Sequence, residues 1–464
     1  MTTRLRDVDE LRASLTGPVV TRTDPAYEEV RTVWNGDIDR SPWAVARCRG
    51  TEDVAAALAF ARHRGLEIAV RGGGHGMSGP SVVDEGLVID LGLLNKVTVD
   101  PAARLAWCGG GATIAELDAA TQAHGLAVPM GTISHTGVGG LTLGGGMGWL
   151  TARHGLAIDN LEAAEVVLAD GRVVRARAAE HPDLFWALRG GGGNFGVVTT
   201  FEYRLHPVGP EVHLGLLFWN LDRGRDALHA VRDLVPTLPR DYGVLIAAAV
   251  HAPPAPFVPE QYRFAPGHVL FVAGFGSAEE HAAAIAPFRR ACPPSFEFVS
   301  PLPYTALQQL IDDTAPWGVR GYEKAIYLPE LTDDAIDVVA RRAPEKTSPM
   351  SFLPMIRLAG AYSAVGEADT AFGGSREDQY AVSLAAICPE PEGLMADRAW
   401  VRALWDDLLP LAAGPGSYVN FMTEYEADRV RASYGTAKYE RLAQIKGRYD
   451  PGNLFHRNAN IKPA

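Results

Sequence analysis

Apolar runs bounded by glycine and polar residues predict β-strands in both halves of the chain. Residues 165–175 contain two such runs, which flank Asp170 and Gly171. An Asp-Gly pair in this position is typical of a tight hairpin turn, so we expect a β-hairpin here. The other runs that predict strands are residues 66–70, 87–91, 97–100 and 269–273.

Three segments have the composition and start signals of helices. An alanine-rich run spans residues 54–61, and Thr51 is its candidate N-cap. A second helix is predicted over residues 114–121. A third begins after Ser277, because Ser277 and Glu280 have the spacing of a capping box. The order of elements is α+β, without the regular strand–helix alternation of a dinucleotide-binding Rossmann domain.

Composition indicates a globular protein with enough residues for two or three domains. The chain has 464 residues, of which 47% are hydrophobic and 21% charged. Its net charge of −12 disfavours nucleic acid and anionic membranes as partners. No segment has the pattern of a membrane span, and the first residues lack the apolar core of a signal peptide. Four widely separated cysteines without a CxxC pair favour a cytoplasmic protein with neither a zinc site nor a disulfide framework.

A glycine loop with a histidine near its end follows the predicted strand at residues 66–70. Three consecutive glycines are unfavourable in a helix or a strand, but they let the backbone turn sharply and bring its N–H groups close to an anion. The loop therefore predicts a site for a phosphate-bearing cofactor, with an imidazole beside it. Its sequence is Arg71-Gly72-Gly73-Gly74-His75-Gly76-Met77-Ser78.

Three further motifs follow this loop, and each of them alone is a weak signal. Two are glycine-rich and occupy residues 137–149 and 188–198. The third is the turn sequence at residues 449–455, together with residues 458–461. In this order, the four motifs resemble the FAD-linked oxidases of the berberine bridge enzyme family, within the vanillyl-alcohol-oxidase type of flavoprotein. The resemblance covers nearly the whole chain.

The resemblance implies an α+β fold with a division into three parts. Residues 1–205 would form a PCMH-type FAD-binding domain of two subdomains. Residues 206–415 would form a substrate-binding domain, in which helices cover an antiparallel sheet. Residues 416–464 would be the berberine-bridge-type C-terminal segment, which returns to pack on the FAD domain.

The resemblance also implies where the cofactor lies. The first glycine loop would wrap the pyrophosphate of FAD with its backbone N–H groups, and the later motifs would run along the cofactor and close its site. The residues that this assigns to FAD are Arg71, Gly72, Gly73, Gly74, His75, Gly76, Met77, Ser78, Gly131, Thr132, Thr136, Gly137, Gly140, Gly144, Gly145, Val198 and Asn458.

The family histidine that matches His75 is bonded covalently to the electrophilic 8α-methyl carbon of the flavin. The alternative for His75 is a loop histidine that only hydrogen-bonds a phosphate. Many relatives have a second link through a cysteine, but Ile133 occupies that position here, so the resemblance implies one tether. Thr136 lies near the position that controls O2 access in the family, where a small side chain permits oxidase behaviour; its alternative is a turn residue. Leu141 replaces a histidine that some relatives have near the flavin.

Oxidation of an alcohol or amine by a flavin needs a base near the O–H or N–H proton. Residues 417–421 resemble a family strand whose second tyrosine is placed to act as that base, but Phe421 stands there in this chain. Tyr418 is then the leading candidate, although strand positions three apart lie on opposite faces. Tyr322 and Lys324 could line the substrate side, where the ammonium would lower the pKa of a nearby tyrosine. The alternatives are core packing for the tyrosines and a solvated surface position for the lysine.

In some relatives the base is a carboxylate near a Phe-x-His-Arg segment. The matching region here is residues 372–383, and its acids are Glu377 and Asp378. Both have the setting of loop charges, so this segment offers no acid within its predicted strand.

The function implied by the resemblance is that of an FAD-dependent enzyme, and Thr136 favours an oxidase. Such an enzyme would transfer a hydride from an alcohol, amine or phenolic small molecule, including a secondary metabolite or sugar, to flavin N5. It would then pass two electrons to O2 and form H2O2. The alternatives are a dehydrogenase with another acceptor and a flavin-bearing binding protein without turnover. We expect no metal site, and either a monomer or a homodimer.

Overall fold

The computed structural model describes the backbone of residues 2–464 and the side chains from residue 7 onward. Its helices are α1 (Thr2–Ser14), α2 (Tyr27–Arg31), α3 (Thr51–Arg64), α4 (Ile114–Gln122), α5 (Val138–Gly144), α6 (Thr151–His154), α7 (Pro182–Leu188), α8 (Gly224–Leu234), α9 (Ala278–Ala291), α10 (Tyr304–Gln308), α11 (Asp333–Arg342), α12 (Pro391–Leu408) and α13 (Ala427–Tyr449), the last kinked at Gly435. Its strands are β1 (Val19–Thr21), β2 (Ala44–Arg47), β3 (Ile68–Arg71), β4 (Leu87–Asp90), β5 (Val97–Asp100), β6 (Leu105–Gly109), β7 (Leu126–Ala127), β8 (Leu161–Val167), β9 (Val173–Arg177), β10 (Val197–Arg204), β11 (His206–Pro207), β12 (Glu211–Asn220), β13 (Gly243–His251), β14 (Pro266–Gly274), β15 (Phe296–Pro303), β16 (Arg320–Leu328), β17 (Leu353–Leu358) and β18 (Gln379–Cys388).

Two sheets form the first half of the molecule. The first has the order β1-β2-β4-β3, in which β2, β4 and β3 are parallel and β1 is antiparallel to β2. The second is antiparallel, with the order β5-β6-β10-β8-β9. The predicted hairpin is confirmed as the pair β8 and β9, and the predicted strands at residues 66–70, 87–91 and 97–100 correspond to β3, β4 and β5.

A seven-stranded antiparallel sheet dominates the second half, with the order β15-β12-β14-β13-β17-β18-β16. Helices α8, α9, α11 and α12 cover one face of this sheet, and their apolar side chains form one core with it. The opposite face packs against the first half of the chain, including Trp149 and Leu150. The α+β prediction, with helices over an antiparallel sheet, is thus confirmed. This second face has no helices of its own domain over it, and we call it the uncovered face. It is the face that can contact a cofactor bound by the first half of the chain.

Helix starts confirm one prediction and correct another. At α9, the Ser277 hydroxyl accepts from Glu280 N at 3.2 Å, and a Glu280 carboxylate oxygen accepts from Ser277 N at 2.8 Å, so the capping box is present. Thr51, however, is the first residue of α3 and not its N-cap, which is Gly50. The Thr51 hydroxyl instead donates to Glu165 Oε1 at 2.6 Å on β8. The Thr51 hydroxyl, which the sequence predicts as a helix cap, is therefore hydrogen-bonded to a carboxylate on the neighbouring sheet instead.

The segment after α12 also differs from its prediction. Tyr418 does not lie on a strand; it precedes a single 3₁₀ turn, Val419–Phe421. The amide of Asn420 donates to the Leu141 carbonyl at 3.0 Å and to the Tyr418 hydroxyl at 2.9 Å. These side-chain bonds fold the segment onto the end of α5 and take the place of a strand ladder.

Within residues 2–464, no helix is both long and apolar enough to cross a membrane. The described side chains also contain no group of three or more His, Cys, Asp or Glu residues arranged to hold a metal ion.

Candidate active site

A cavity of about 430 Å³ lies between the glycine motifs of the first half and the uncovered face of the seven-stranded sheet. The sheet contributes side chains from β13, β16, β17 and β18. The C-terminal segment closes one side with residues 455–459. The volume falls within the range of small-molecule and cofactor pockets.

The first glycine loop forms one wall of this cavity. β3 ends at Arg71, and residues 72–77 then line the cavity. Gly74 has φ of 69°, which favours glycine. A Cβ on Gly73 would lie 2.3 Å from the backbone N of Gly137, so the first two glycine motifs touch backbone to backbone. Glycine is required on both sides of this contact.

Arg71 and Ser78, at the two ends of the loop, lie outside the wall. The Arg71 guanidinium points away from the cavity, where its Nη2 is 2.9 Å from Asp90 Oδ2 and its Nη1 donates to the Val30 carbonyl. Both charged side chains are buried. The Ser78 carbonyl accepts from Arg40 Nη2 at 3.5 Å. The side chain of Arg71 therefore anchors the strand end under the loop and does not contact the cavity that we assign to the cofactor.

The second motif divides into two roles. Gly131, Thr132, Thr136, Gly137 and Gly140 line the cavity as the sequence predicts. The next glycines of the motif lie behind the wall, where they let Asn420 of the C-terminal segment and Phe372 of the preceding part of the chain pack closely. A Cβ on Gly144 would lie 2.2 Å from Asn420 Oδ1, and one on Gly145 would lie 2.9 Å from the Phe372 ring.

Val198 and Asn458 also line the cavity, although they lie far apart in the sequence. The Asn458 side-chain amide donates to the Gly193 carbonyl at 3.1 Å, while its Oδ1 is buried without a partner. Ser81 Oγ is a second buried wall atom without a partner. Buried polar atoms are almost always hydrogen-bonded, so these two groups fit a polar ligand such as FAD.

His75 is half-buried in the wall and is held by aromatic side chains. Its Nε2 lies 2.7 Å from Nδ1 of His135, and its ring stacks on Trp34 with centroids 5.1 Å apart. Burial, together with the neighbouring His135, lowers the pKa of His75 to about 3. The imidazole is therefore neutral at physiological pH, which is the form that a nucleophile requires.

His135 is a contact that the sequence prediction missed, although it stands between Ile133 and Thr136. Its place between two residues assigned to the cofactor site was the sequence signal that could have identified it. Ile133 lines the cavity, as expected at the position where many relatives have a cysteine. The four cysteines of the chain are buried free thiols outside this wall.

Tyr418 lines the cavity. Its hydroxyl accepts from Gly146 N at 2.9 Å and from Asn420 Nδ2 at 2.9 Å. Neither of these groups can accept the phenol proton, which is therefore free for a bound molecule. Burial raises the pKa of Tyr418 to about 12. Phe421 packs edge-on against this ring, with centroids 4.8 Å apart.

Tyr322 and Lys324 do not line the cavity, which corrects their assignment to the substrate side. The Tyr322 hydroxyl bonds to Glu424 Oε2 at 3.0 Å and accepts from Arg402 Nε at 3.1 Å. Lys324 Nζ lies 3.5 Å from Glu424 Oε2 and 4.6 Å from the centre of the Trp405 ring. Both side chains belong to the helix-covered face of β16, because alternate residues of a strand face opposite sides.

The same alternation turns Glu323 into the cavity, and this acid was missed. It is buried, and the Ser383 hydroxyl on β18 donates to its Oε1. Burial raises the pKa of Glu323 to about 7, against the opposing effect of the Ser383 bond. The signal was available in the sequence: a residue between two candidates on one strand lies on the other face.

Comparison with known proteins agrees with this arrangement. A family model described as "FAD binding domain" matches residues 42–177, and one described as "Berberine and berberine like" matches residues 417–462. The FAD-linked oxidoreductase OXR1 of Pyricularia oryzae is 30% identical, over 92% of this chain and 86% of that protein. The (R)-6-hydroxynicotine oxidase of Paenarthrobacter nicotinovorans is 29% identical, over 97% of each chain.

Among solved structures, 6-hydroxy-D-nicotine oxidase from Arthrobacter nicotinovorans superimposes with a TM-score of 0.85 at 27% identity, over 97% of this chain and 99% of that chain. The chain belongs to the FAD-linked oxidoreductases of the berberine bridge enzyme-like family. It is accordingly an FAD-dependent oxidoreductase.

Proposed function

We propose that this enzyme is an oxidase whose FAD is attached covalently through His75 alone. The observation that carries the proposal is a half-buried, neutral imidazole in the wall of a glycine-lined cavity. We assign the proton shared between the two histidines to Nε2 of His75, which leaves Nδ1 of His75 as the free nucleophile. Ile133 removes the thiol of the family's second tether and supports a single link.

The cofactor would be held mainly by backbone groups of the first two glycine motifs. Bound FAD supplies the hydride acceptor for the reaction. The unpaired oxygens of Ser81 and Asn458 supply polar contacts, and Val198 closes the apolar side of the wall. Thr136 lines the cavity with a small side chain, which supports access of O2 and its reduction to H2O2.

Tyr418 is the side chain that we place against the reacting group of the substrate. Its raised pKa keeps the phenol neutral, and both of its partners donate to it. It therefore orients the substrate by donating a hydrogen bond, and it is a poor proton acceptor.

We also propose that the domains divide at residues 205/206 and 415/416, and that the protein is a cytoplasmic monomer or homodimer. The buried free thiols support that compartment.

The test uses the purified holoenzyme. Acid precipitation should leave the flavin with the wild-type protein, and in-gel flavin fluorescence should mark its band. His75→Ala should release all of its flavin, whereas the exposed control His63→Ala should behave like wild type. Flavin released quantitatively from the wild type would exclude the covalent link.

Electron transfer is tested on the same preparation. A substrate added without oxygen should bleach the flavin, and air should restore its colour with one H2O2 per flavin. A flavin that bleaches but is recoloured only by an artificial acceptor would identify a dehydrogenase. A flavin that dithionite reduces but no candidate substrate bleaches would favour a binding protein.

A further inference from the structure

We propose that Glu323 is the catalytic base of this enzyme, and that the site oxidises small, largely apolar alcohols rather than carbohydrates. The inference rests on the proposed function. Glu323 reaches the cavity from β16, and Ser383 on the neighbouring strand β18 fixes one of its carboxylate oxygens. The other oxygen, Oε2, is free to accept a proton from a bound molecule.

Position favours a direct role for this acid. Among the described residues, Glu323 is the only one that lines the cavity with a carboxylate. Its charge contributes to the raised pKa of Tyr418, so the two groups lie within electrostatic reach of one another. One of them offers a proton and the other accepts one.

This pairing selects the chemistry of the substrate. A hydroxyl group can accept the Tyr418 proton with its lone pair while its own O–H donates to Glu323. A neutral amine could also satisfy both groups, but near pH 7 an aliphatic amine is mostly protonated, has only donors and would leave the phenol proton unpaired. An alcohol therefore satisfies both groups, because it matches a donor and an acceptor at once.

The remainder of the sheet wall excludes a sugar. Its other members are apolar apart from Ser383, whose hydroxyl is already bonded to Glu323. Each additional buried substrate hydroxyl would lack a partner here, at a cost of about 1 to 3 kcal/mol. The apolar members are Leu245, Pro354, Ile356, Ala385 and Ile387.

The step balances as an alcohol oxidation. The O–H proton passes to Glu323, a hydride leaves the adjacent carbon, and the carbon–oxygen bond becomes a carbonyl. Bound FAD would supply the acceptor for this hydride, and O2 would be the final acceptor of the two electrons, which with two protons gives H2O2. Glu323 releases its proton to solvent before the next turnover.

The wall tyrosines and His75 do not change charge between pH 5 and pH 9, because their pKa values are shifted away from that range. Burial raises the pKa of the wall tyrosines and lowers that of His75. The groups that face the cavity besides Glu323 are Tyr418, Tyr425, Tyr434, His75, His456 and Arg457.

The test measures anaerobic flavin reduction by the holoenzyme between pH 5 and pH 9. The probes are 1-phenylethanol and cyclohexanol as apolar alcohols, the matching amines, and glucose and cellobiose as carbohydrates. We expect reduction by an apolar alcohol, with a rate that rises with pH through about 7, the pKa to which burial raises Glu323. Reduction by the sugars or amines but by neither alcohol would overturn the substrate class while leaving the oxidase proposal intact.

Variants separate the base from the remainder of the site. Glu323→Gln should slow reduction by about 10²- to 10⁴-fold and abolish its rise with pH. Glu323→Asp should keep that rise at a lower rate, and the exposed control Glu377→Gln should match wild type. The hydrogen bond from Ser383 lowers the pKa of Glu323, so its loss in Ser383→Ala should raise that pKa and shift the profile to higher pH.

Two readouts do not depend on turnover. Infrared difference spectra between pH 5 and pH 9 should show a buried carboxyl band that Glu323→Gln lacks. The dissociation constant of the alcohol, measured from the flavin spectral shift, should change by less than about tenfold in that variant. A wild-type rate and pH profile in Glu323→Gln would overturn the assignment of the base, even if flavin reoxidation by air still confirms an oxidase.

Discussion

Nε2 of His75 and Nδ1 of His135 share a hydrogen bond of 2.7 Å, which joins the first glycine loop to the segment before the second motif. The bond fixes one nitrogen of each ring and orients the imidazole that we assign to the flavin. The two histidines come from loops that also touch at Gly73 and Gly137. The geometry of the tether is therefore a property of both loops together.

Replacing His135 should slow covalent attachment of FAD without preventing its binding. In His135→Phe the cradle of backbone N–H groups is unchanged, but His75 loses the partner that fixes its tautomer and orientation. We expect attachment at least about tenfold slower, at the lower end of what a positioned acid–base partner contributes. A time course of in-gel flavin fluorescence after FAD is added to apoprotein measures the rate. His124→Ala, an exposed histidine in the same half, is the control, and equal rates in all three proteins would contradict the role.

Two glycines of the cavity should respond differently to alanine. A Cβ on Gly73 meets the backbone of Gly137, so Gly73→Ala should lower the unfolding free energy of the apoprotein and weaken FAD binding. At Gly140 nothing lies within 4 Å of an added Cβ, so Gly140→Ala should leave that stability within about 1 kcal/mol. Urea unfolding of both apoproteins measures this difference. A stable Gly73→Ala protein would show that the loops can separate without loss.

The stability of the protein should carry a pH signature from Glu323. Burial raises its pKa from 4.5 to about 7 in the folded state, so the folded protein binds this proton more tightly than the unfolded chain does. The favourable contribution is complete below pH 4.5 and is lost as the pH rises through 7. Glu323→Gln lacks this dependence, so its stability relative to wild type should increase by about 3 kcal/mol between pH 4 and pH 8. Urea unfolding at both pH values measures the change, and a constant difference would place the carboxylate in a wetter environment.

A buried ion pair should control the C-terminal segment. Lys446 Nζ lies 2.7 Å from Asp450 Oδ2 and donates to the carbonyls of Asn194 at 2.6 Å and Phe455 at 2.9 Å. Lys446→Met leaves a buried carboxylate without its cation, so we expect a loss of about 3 to 5 kcal/mol. The exposed control Lys96→Met should have no effect in the same denaturant series. Faster proteolysis after residue 450 in Lys446→Met would show that the loss is local to this segment.

Local patterns predicted much of the scaffold. The hairpin, the capping box at Ser277 and the glycine loop after β3 follow from short-range rules, and the structure contains each of them. The errors occur where a residue distant in sequence determines the position of a side chain. The Thr51 hydroxyl is hydrogen-bonded to Glu165, and the guanidinium of Arg71 is paired with Asp90. No rule based on neighbouring residues anticipates such contacts.

The chemistry of the site was predicted less completely than its scaffold. The motifs identify His75 and Tyr418. Their hydrogen-bond partners His135 and Gly146 lie far from them in sequence, and the motifs do not identify these contacts. On β16 the candidates on either side of Glu323 were chosen and the acid between them was missed, although a strand of this kind can present only one of the two sets to the cavity.

The amide of Asn194 donates to the carbonyl of Ala459 at 3.1 Å, and its oxygen accepts from the N–H of Ile461 at 3.0 Å. The cavity wall thus combines residues from Trp34 to Ala459. During synthesis the glycine motifs leave the ribosome long before the segment that completes the pocket. FAD capture and attachment must therefore follow synthesis of residues 455–459, so the supply of newly made apoprotein and of free flavin in the cell would together set how much active enzyme accumulates.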